Sequence, residues 1–281
     1  MALQTPTMTE LLEAGVHFGH KVSRGHPRMK PYIFGARDGV HILDLAQSET
    51  KLKEAIEYVY ELGKSGGVLL VVGTKKQAQE IVEELSLAAG APYVNAHWVG
   101  GMLTNFDEVK KNINRLNSLQ KERETGELSR YTKKEQLLIS RKIAKFQDNL
   151  GGVSQLSKIP DAMFIVDSVN EDTAVKEALR MGIKLVGFAD TNSNPAVFDY
   201  PIPANDDGIK AIKIVCEAVV KAYGEGKKAA GEIAAKKAVD DAKEAARVAE
   251  AAKLDTVVAE QAEVIEEEIE KKIVQDSERK E

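Results

Sequence analysis

Apolar residues along this chain follow two alternating patterns, short continuous runs and longer stripes with the period of an α-helix. Continuous runs at Val68–Val72, Ala162–Val166 and Leu185–Ala189 indicate strands covered on both faces, and shorter strands are predicted at Tyr93–Asn95 and near 200–203. The stripes predict helices over about residues 46–64, 75–88, 171–181 and 207–223. Because strands alternate with helices, we expect an α/β fold with a parallel sheet and helices on both of its faces.

The N-terminal region carries weaker signals. Thr9 or Thr7 is suited to cap a short helix, whereas Gly15–Pro31 shows no sustained period and is predicted to be a loop, ordered by itself or by a partner. Apolar runs lie on either side of residues 36–39, which contain the pair Asp38 and Gly39. An Asp-Gly pair between apolar runs is typical of a tight β-hairpin turn, so a hairpin is expected here.

Residues 105–150 form an insertion between the predicted strands. Two apolar stripes of near-heptad spacing are joined by a short polar turn at residues 125–129, and each begins with capping-box spacing, Asn105 with Glu108 and Thr132 with Glu135. The stripe residues are Phe106, Val109, Ile113, Leu116 and Leu119, then Ile139, Ile143, Phe146 and Leu150. This pattern predicts an antiparallel helical hairpin inserted into the layered core.

The composition is that of a water-soluble protein. Among the 281 residues, 43% are hydrophobic and 30% charged, with no basic and apolar leader and no apolar run of about 18 residues, so neither a secretory signal nor a membrane span is expected. The single cysteine, Cys216, cannot form an intrachain disulfide, which fits a reducing compartment. It lies within an apolar helical pattern and is predicted to be a buried small hydrophobe.

The net charge of −5 is distributed unevenly. Residues 225–281 carry 16 acids and 11 bases, while residues 105–150 carry 11 bases and 7 acids, and residues 15–41 carry five bases and one acid. Because the local field decides where a polyanion docks, two basic segments on an acidic protein remain compatible with nucleic-acid binding. The Ala-, Glu- and Lys-rich stretch 224–281 predicts a helical or disordered tail with no assigned role. An ordinary solvated hairpin is the alternative for residues 105–150.

An enzymatic reading rests on the carboxyl ends of the strands, where open parallel sheets bind ligands. Gly73-Thr74-Lys75, Asp167 and Asp190 lie there and suggest an α/β enzyme that binds a phosphorylated small molecule. However, neither dinucleotide-binding nor P-loop fingerprints are present, and acids at such turns are more often caps and turn formers than catalytic groups or Mg²⁺ ligands.

Two further groups have a structural and a functional interpretation. His17, His20 and His26 lie close in sequence, but their spacing matches no compact metal motif, so we expect phosphate contact or loop packing and no metal site. His41 occupies an alternating strand position. The only tryptophan, Trp98, is expected to fill an apolar core site, with stacking on an unpaired base as the alternative.

Several motifs, taken together and in order, resemble ribosomal protein two of the bacterial small subunit. They are Gly15–His20 (GVHFGH), Pro27–Arg37 (PRMKPYIFGAR), Val72–Lys75 (VGTK), His97–Asn105 (HWVGGMLTN), Leu150–Gly152 (LGG), Pro160–Asp167 (PDAMFIVD), Asp190–Pro195 (DTNSNP) and Ile202–Asp207 (IPANDD). The likeness runs from about residue 8 to 223, and the tail is longer than the family leads us to expect. It implies a flavodoxin-like core, residues 1–104 and 151–223, with an inserted coiled-coil hairpin.

The resemblance further implies a structural, non-catalytic constituent of the cytoplasmic ribosome that uses no cofactor and no membrane. Its expected partners are small-subunit rRNA and neighbouring ribosomal proteins, including the large mRNA-binding ribosomal protein one, whose docking it supports during translation. Combining this with the basic segments, we predict rRNA phosphate contacts at Arg24, Arg28, Lys30, Arg37, Lys75, Lys76, Lys110, Lys111, Arg115, Lys133, Lys134, Arg141 and Lys142.

Overall fold

A computed structural model describes residues 5–233 and residue 235. The chain divides into two units, Met1–Ala230 and Gly231–Glu281, and the description below concerns the first. Most of the predicted tail, residues 236–281, therefore lies outside the described residues. The last helix within the described residues, α7, begins at residue 209 and continues through the end of the first unit.

The core of the unit is a five-stranded parallel sheet. Its strands are β4 (Leu69–Val72), β5 (Tyr93–Val94), β6 (Ala162–Ile165), β7 (Lys184–Phe188) and β8 (Tyr200–Ile202), in the spatial order β5-β4-β6-β7-β8. This is the doubly wound order of flavodoxin-like folds, with its switch point between β4 and β6. The predicted fold class is confirmed.

The continuous apolar runs become fully buried strands because both sheet faces are covered. Every residue of β4 and β6 is buried. Successive side chains point to opposite faces, so Leu69 and Val71 pack with α2 (Leu45–Lys64), α3 (Lys76–Ala89) and α7. The alternate residues, Leu70 and Val72, pack with α6 (Asp172–Met181) and the base of the hairpin.

A second, antiparallel sheet precedes the core. After α1 (Met8–Glu13), which Thr7 caps, come β1 (Phe18–Lys21), β2 (Ile33–Arg37) and β3 (Val40–Leu43), in the order β1-β3-β2. Asp38 and Gly39 both have positive φ, 53° and 77°, as a type I′ turn requires, so the predicted hairpin is confirmed.

The segment Gly15–Pro31, predicted to be a loop ordered by itself or by a partner, contains secondary structure that was not predicted. The segment contains β1 and two 3₁₀ helices, Val22–Arg24 and Pro27–Tyr32. β1 pairs with β3, and their register shifts between Phe18 and Lys21. A four-residue strand with a bulge leaves little alternation in the sequence, because its pairing is set by a distant partner.

The insertion forms an antiparallel pair of helices, α4 (Phe106–Glu124) and α5 (Lys133–Leu150). Val109, Ile113 and Leu116 of α4 are buried in the same apolar cluster as Ile143 of α5. The Thr132 capping box is present. The box predicted at Asn105 is absent among the described contacts, since Asn105, at φ −133° and ψ 49°, does not have the extended conformation that aims a cap side chain at the helix.

Candidate nucleic-acid interface

The first basic surface lies within residues 24–37, which run from the end of the first 3₁₀ helix to the end of β2. Arg24, Arg28, Lys30 and Arg37, which we call the basic loop, are all exposed. Arg37 Nε lies 3.7 Å from an Asp38 carboxylate oxygen, but both side chains are almost fully solvated, and such pairs contribute little. The basic loop therefore presents four cations to solvent.

The basic loop is ordered by contacts with the core. The backbone N–H of His26 donates to the Thr191 carbonyl at 2.7 Å, and the N–H of His20 donates to Thr191 Oγ1 at 2.7 Å. Gly19 lies so close to Thr191 that a Cβ there would come within 2.5 Å of its methyl group. Met29, fully buried, anchors the middle of the loop. Of the two alternatives predicted for this segment, ordering by itself or by a partner, these contacts favour ordering by the chain itself.

The second basic surface lies on α5. The helix carries five bases, Lys133, Lys134, Arg141, Lys142 and Lys145, and two acids. Lys134, Arg141 and Lys145, the α5 stripe, are spaced seven and four residues apart and so share one outward face, which extends about 16 Å. Within residues 5–233, none of the three forms an ion pair. Lys145 was not among the predicted contacts.

Two of the three cations predicted on α4 to contact rRNA already interact with other groups of the protein. This helix carries five bases and four acids. Lys111 Nζ lies 2.5 Å from a Glu108 carboxylate oxygen, and Lys110 Nζ donates to the Ser157 carbonyl at 3.3 Å. Arg115 is exposed on the outer face. The positive field of the hairpin is therefore stronger along α5.

Lys75 and Lys76 lie at the start of α3 in very different surroundings. Lys76 is exposed, whereas Lys75 Nζ lies 3.0 Å from Asp167 and 2.7 Å from both Asp206 and Asp207. Burial lowers the pKa of Lys75, but these carboxylates, Asp206 foremost, raise it overall above its usual range. Since three acids already surround its charge, Lys75 is poorly placed to bind a phosphate, and the interface proposed below does not include it.

The same edge of the sheet holds a cluster of His20, Asp190 and Asp206, of which only Asp190 was predicted to lie at this edge. His20 Nδ1 lies 3.2 Å from Asp190, and ligand atoms of His20, Asp190 and Asp206 all lie within 4.8 Å of one another. Burial and the charges of Asp190 and Asp167 raise the pKa of Asp206 to about 7. One imidazole and two carboxylates are donors that a divalent cation accepts. His17 and His26 are not part of this cluster.

The position of Asp206 and Asp207 at this edge was not predicted, although the sequence contains the pattern that indicates it. They follow β8, and the carboxyl ends of parallel strands meet at one edge, so the argument that selected Asp167 and Asp190 applies equally to them. Asp167 also makes the turn contacts expected of a cap, since it accepts hydrogen bonds from the N–H groups of Val169 and Asn170 at 2.9 and 3.0 Å.

This edge is poorly suited to a phosphorylated substrate. The N–H of Thr74 donates to Glu171 Oε1 at 3.2 Å, and the Thr74 hydroxyl donates to the same atom. The turn after β4, which would cradle a phosphate, thus has its donors engaged by a buried carboxylate, and Lys75 is engaged by three others. A phosphate would meet a surplus of negative charge at this position.

The comparisons with known proteins identify the family. A sequence model of the family described as Ribosomal protein S2 matches residues 11–226. The chain belongs to the ribosomal protein S2 family. Curated relatives named small ribosomal subunit protein uS2 include that of Nitratiruptor sp., 45% identical over 79% of this chain and 83% of its own length. That of Erythrobacter litoralis is 46% identical over 79% and 90%, and that of Dehalococcoides mccartyi is 44% identical over 81% and 93%.

Family membership confirms several predictions. The chain is a structural protein of the small ribosomal subunit, located on the ribosome, and it is not an enzyme. The alternative of an α/β enzyme is thereby removed, in agreement with the carboxylates that fill the edge of the sheet. Within the described part of the chain, no helix is both long and apolar enough to cross a membrane.

Proposed function

We propose that this chain binds small-subunit rRNA through the basic loop and the α5 stripe, and that this binding holds it in the subunit during translation. The observation that carries the proposal is the α5 stripe. Its three cations are exposed along one face and, among the residues that the structure describes, have no carboxylate partner.

Separation of charge explains how an acidic chain can bind a polyanion. At physiological ionic strength, fields from exposed charges fade over about 8 Å, so a phosphate at α5 responds to the nearby cations and hardly to distant acids. The helix itself carries five bases and two acids. Neutralising phosphates there releases counterions, which favours association.

Ordering of the basic loop supports the same proposal. Because contacts with Thr191 and the burial of Met29 already fix the loop on the core, its backbone loses little conformational entropy when the arginines bind. Arg24, Arg28 and Arg37 are able to grip phosphate through two parallel hydrogen bonds, while Lys30 acts as a point charge.

The proposal is tested by competition for subunit assembly. A variant with Lys134, Arg141 and Lys145 replaced by Ala competes with wild-type chain for incorporation into small subunits. The matched control replaces three exposed lysines elsewhere, Lys53, Lys210 and Lys213, and so changes the net charge equally.

We expect the stripe variant to lose the competition and the control to match wild type, since only local charge meets the phosphates. Far-ultraviolet circular dichroism of both variants verifies that the helices remain. Equal loss in both variants would show that total charge matters and would refute the proposed stripe.

A second proposed function is support for ribosomal protein one. An apolar groove of 350 Å³ lies beside α1 and is bordered by Met8, Leu12 and Phe34, whose side chains are 44%, 51% and 81% exposed. A groove of this kind with large exposed hydrophobes marks a protein-contact site more often than an RNA-contact site. It is separate from the α5 stripe.

This second function is tested with the uncharged variant Phe34→Ser, because an added carboxylate at residue 34 would also oppose the basic loop. Leu87→Ser serves as control, since Leu87 is 64% exposed on α3. Purified small subunits carrying each variant are titrated with ribosomal protein one. We expect weaker binding of ribosomal protein one for Phe34→Ser alone, with rRNA binding unchanged. Unchanged titration curves for both variants would remove the groove from the account.

A further inference from the structure

One buried carboxylate of the core forms hydrogen bonds with residues 98–104, the turn that leads into the hairpin. Glu177 of α6 is only 8% exposed. Its Oε1 accepts hydrogen bonds from Trp98 Nε1 at 3.2 Å and the N–H of Gly101 at 2.8 Å. Its Oε2 accepts from the N–H of Leu103 at 3.1 Å and from the N–H and hydroxyl of Thr104 at 3.2 and 3.1 Å. Five donors occupy essentially all of its acceptor positions.

The contacts keep this buried acid ionised. Burial raises the pKa of Glu177, but hydrogen bonds from the amides of Gly101, Thr104 and Leu103 and from Trp98 lower it overall. Hydrogen bonds to an ionised acceptor are stronger than those to a neutral one. The carboxylate therefore holds the turn tightly.

The turn that surrounds Glu177 leads directly into α4, which begins two residues after Thr104. Gly101, at φ 88°, takes the left-handed conformation that bends the chain around the carboxylate. Trp98, 5% exposed, packs in the apolar cluster beside it, which confirms the core interpretation of this residue. Sequence separations of 73 to 79 residues made the contact invisible to local patterns.

The geometry points to Glu177 as a positioning residue that fixes the direction in which the hairpin leaves the core. Apolar contacts at the base of the hairpin hold it in place but have no preferred direction, whereas hydrogen bonds do. This inference rests on the proposed function for its consequence, because the hairpin direction decides where the α5 stripe lies relative to the basic loop.

A small change in the angle at which the hairpin leaves the core causes a large displacement at its far end. The 19 residues of α4 extend about 28 Å, so a rotation of roughly 10° at Glu177 displaces the far end by about 5 Å. A displacement of this size exceeds the reach of a hydrogen bond. Loss of the Glu177 contacts therefore moves the stripe away from phosphates that it would otherwise meet.

The test compares Glu177→Gln with Glu83→Gln in the full chain. Glu83 is a matched control, because it accepts hydrogen bonds from Tyr93 and Asn95 ahead of the same turn but has no described contact with it. Spin labels are attached to cysteines introduced at exposed Ser129, beyond α4, and exposed Lys53, on α2. The native Cys216 is fully buried and remains unlabelled.

We expect the Ser129-to-Lys53 distance distribution of free protein to widen by about 5 Å in Glu177→Gln and to stay unchanged in Glu83→Gln. Competition for subunit assembly should fall for Glu177→Gln only. An unchanged distribution overturns the inference, whatever the assembly result. A widened distribution with normal assembly would support the positioning role of Glu177 and would count only against the proposed consequence for rRNA binding.

A second variant covers the case in which Glu177→Gln does not fold. Trp98→Phe keeps most of the ring volume and removes one donor, so it should widen the distribution by a smaller amount. A distribution identical to wild type in a folded Trp98→Phe protein counts against the inference. Since these distances are measured without RNA, they are independent of the stripe competition, which alone decides the proposed function.

Discussion

Removal of the four positive charges of the basic loop should weaken rRNA binding, and the loss of affinity should depend on the salt concentration. The variant replaces Arg24, Arg28, Lys30 and Arg37 by Ala. All four side chains are exposed, and the contacts that order the loop come from Thr191 and Met29, which stay in place. The loop is therefore expected to keep its conformation and lose only its charge.

The size of the effect follows from counterion release. Each phosphate contact contributes about one unit to the slope of log affinity against log salt, so four lost contacts lower the slope by about 4. A fourfold rise in salt, for example from 50 to 200 mM, then weakens wild-type binding about 250-fold more than binding of the variant.

The assay is equilibrium binding to small-subunit rRNA over this salt range, with a control in which exposed Lys53, Arg180, Lys210 and Lys213 become Ala. The control should keep the slope of wild type, since its lost charges lie off both basic surfaces. A loop variant with an unaltered slope would refute the assignment of these four residues.

Three further predictions concern the hairpin, the core and pH. Leu116→Ala, at a fully buried seam position, should lower the free energy of unfolding by about 2–5 kcal/mol in denaturant titration, and a change below about 1 kcal/mol would contradict the packed seam. Cys216 should react with a thiol reagent only in denaturant, because it is fully buried and burial strongly raises its pKa; rapid labelling of native protein would contradict this. The pKa of Glu177 is lowered in the folded chain, so its ionised contacts should stabilise the fold fully above the ordinary glutamate value of 4.5. This stabilisation should be lost as the pH falls through the lowered pKa. Glu177→Gln should therefore flatten the acid limb of stability against pH, and an unchanged limb would show that the carboxylate is not ionised.

Elements with a strong local period could be predicted from the sequence. The continuous run at Val68–Val72 and the stripe from Val109 to Leu116 became a buried strand and a buried seam because burial and periodicity express the same geometry. β1 was missed, because its pairing with β3 depends on the arrangement of three strands and not on its four residues.

The candidate site was predicted less completely, since residue type and location do not reveal partners. Lys75 and Lys134 look alike in sequence, but the fold places three carboxylates around Lys75 and leaves Lys134 on an outward helix face. Glu177 carried no local signal at all, because its donors lie more than 70 residues earlier in the chain. Contacts between distant segments require the folded structure.

The most direct test of the central claim, that locally clustered cations seat an acidic chain on rRNA, is sedimentation of the wild-type protein with small ribosomal subunits over a series of salt concentrations. The account predicts co-sedimentation at low salt and release as salt rises, because counterion release drives the binding. Retention that does not change with salt would show that apolar or protein contacts hold the chain, and it would contradict the electrostatic account.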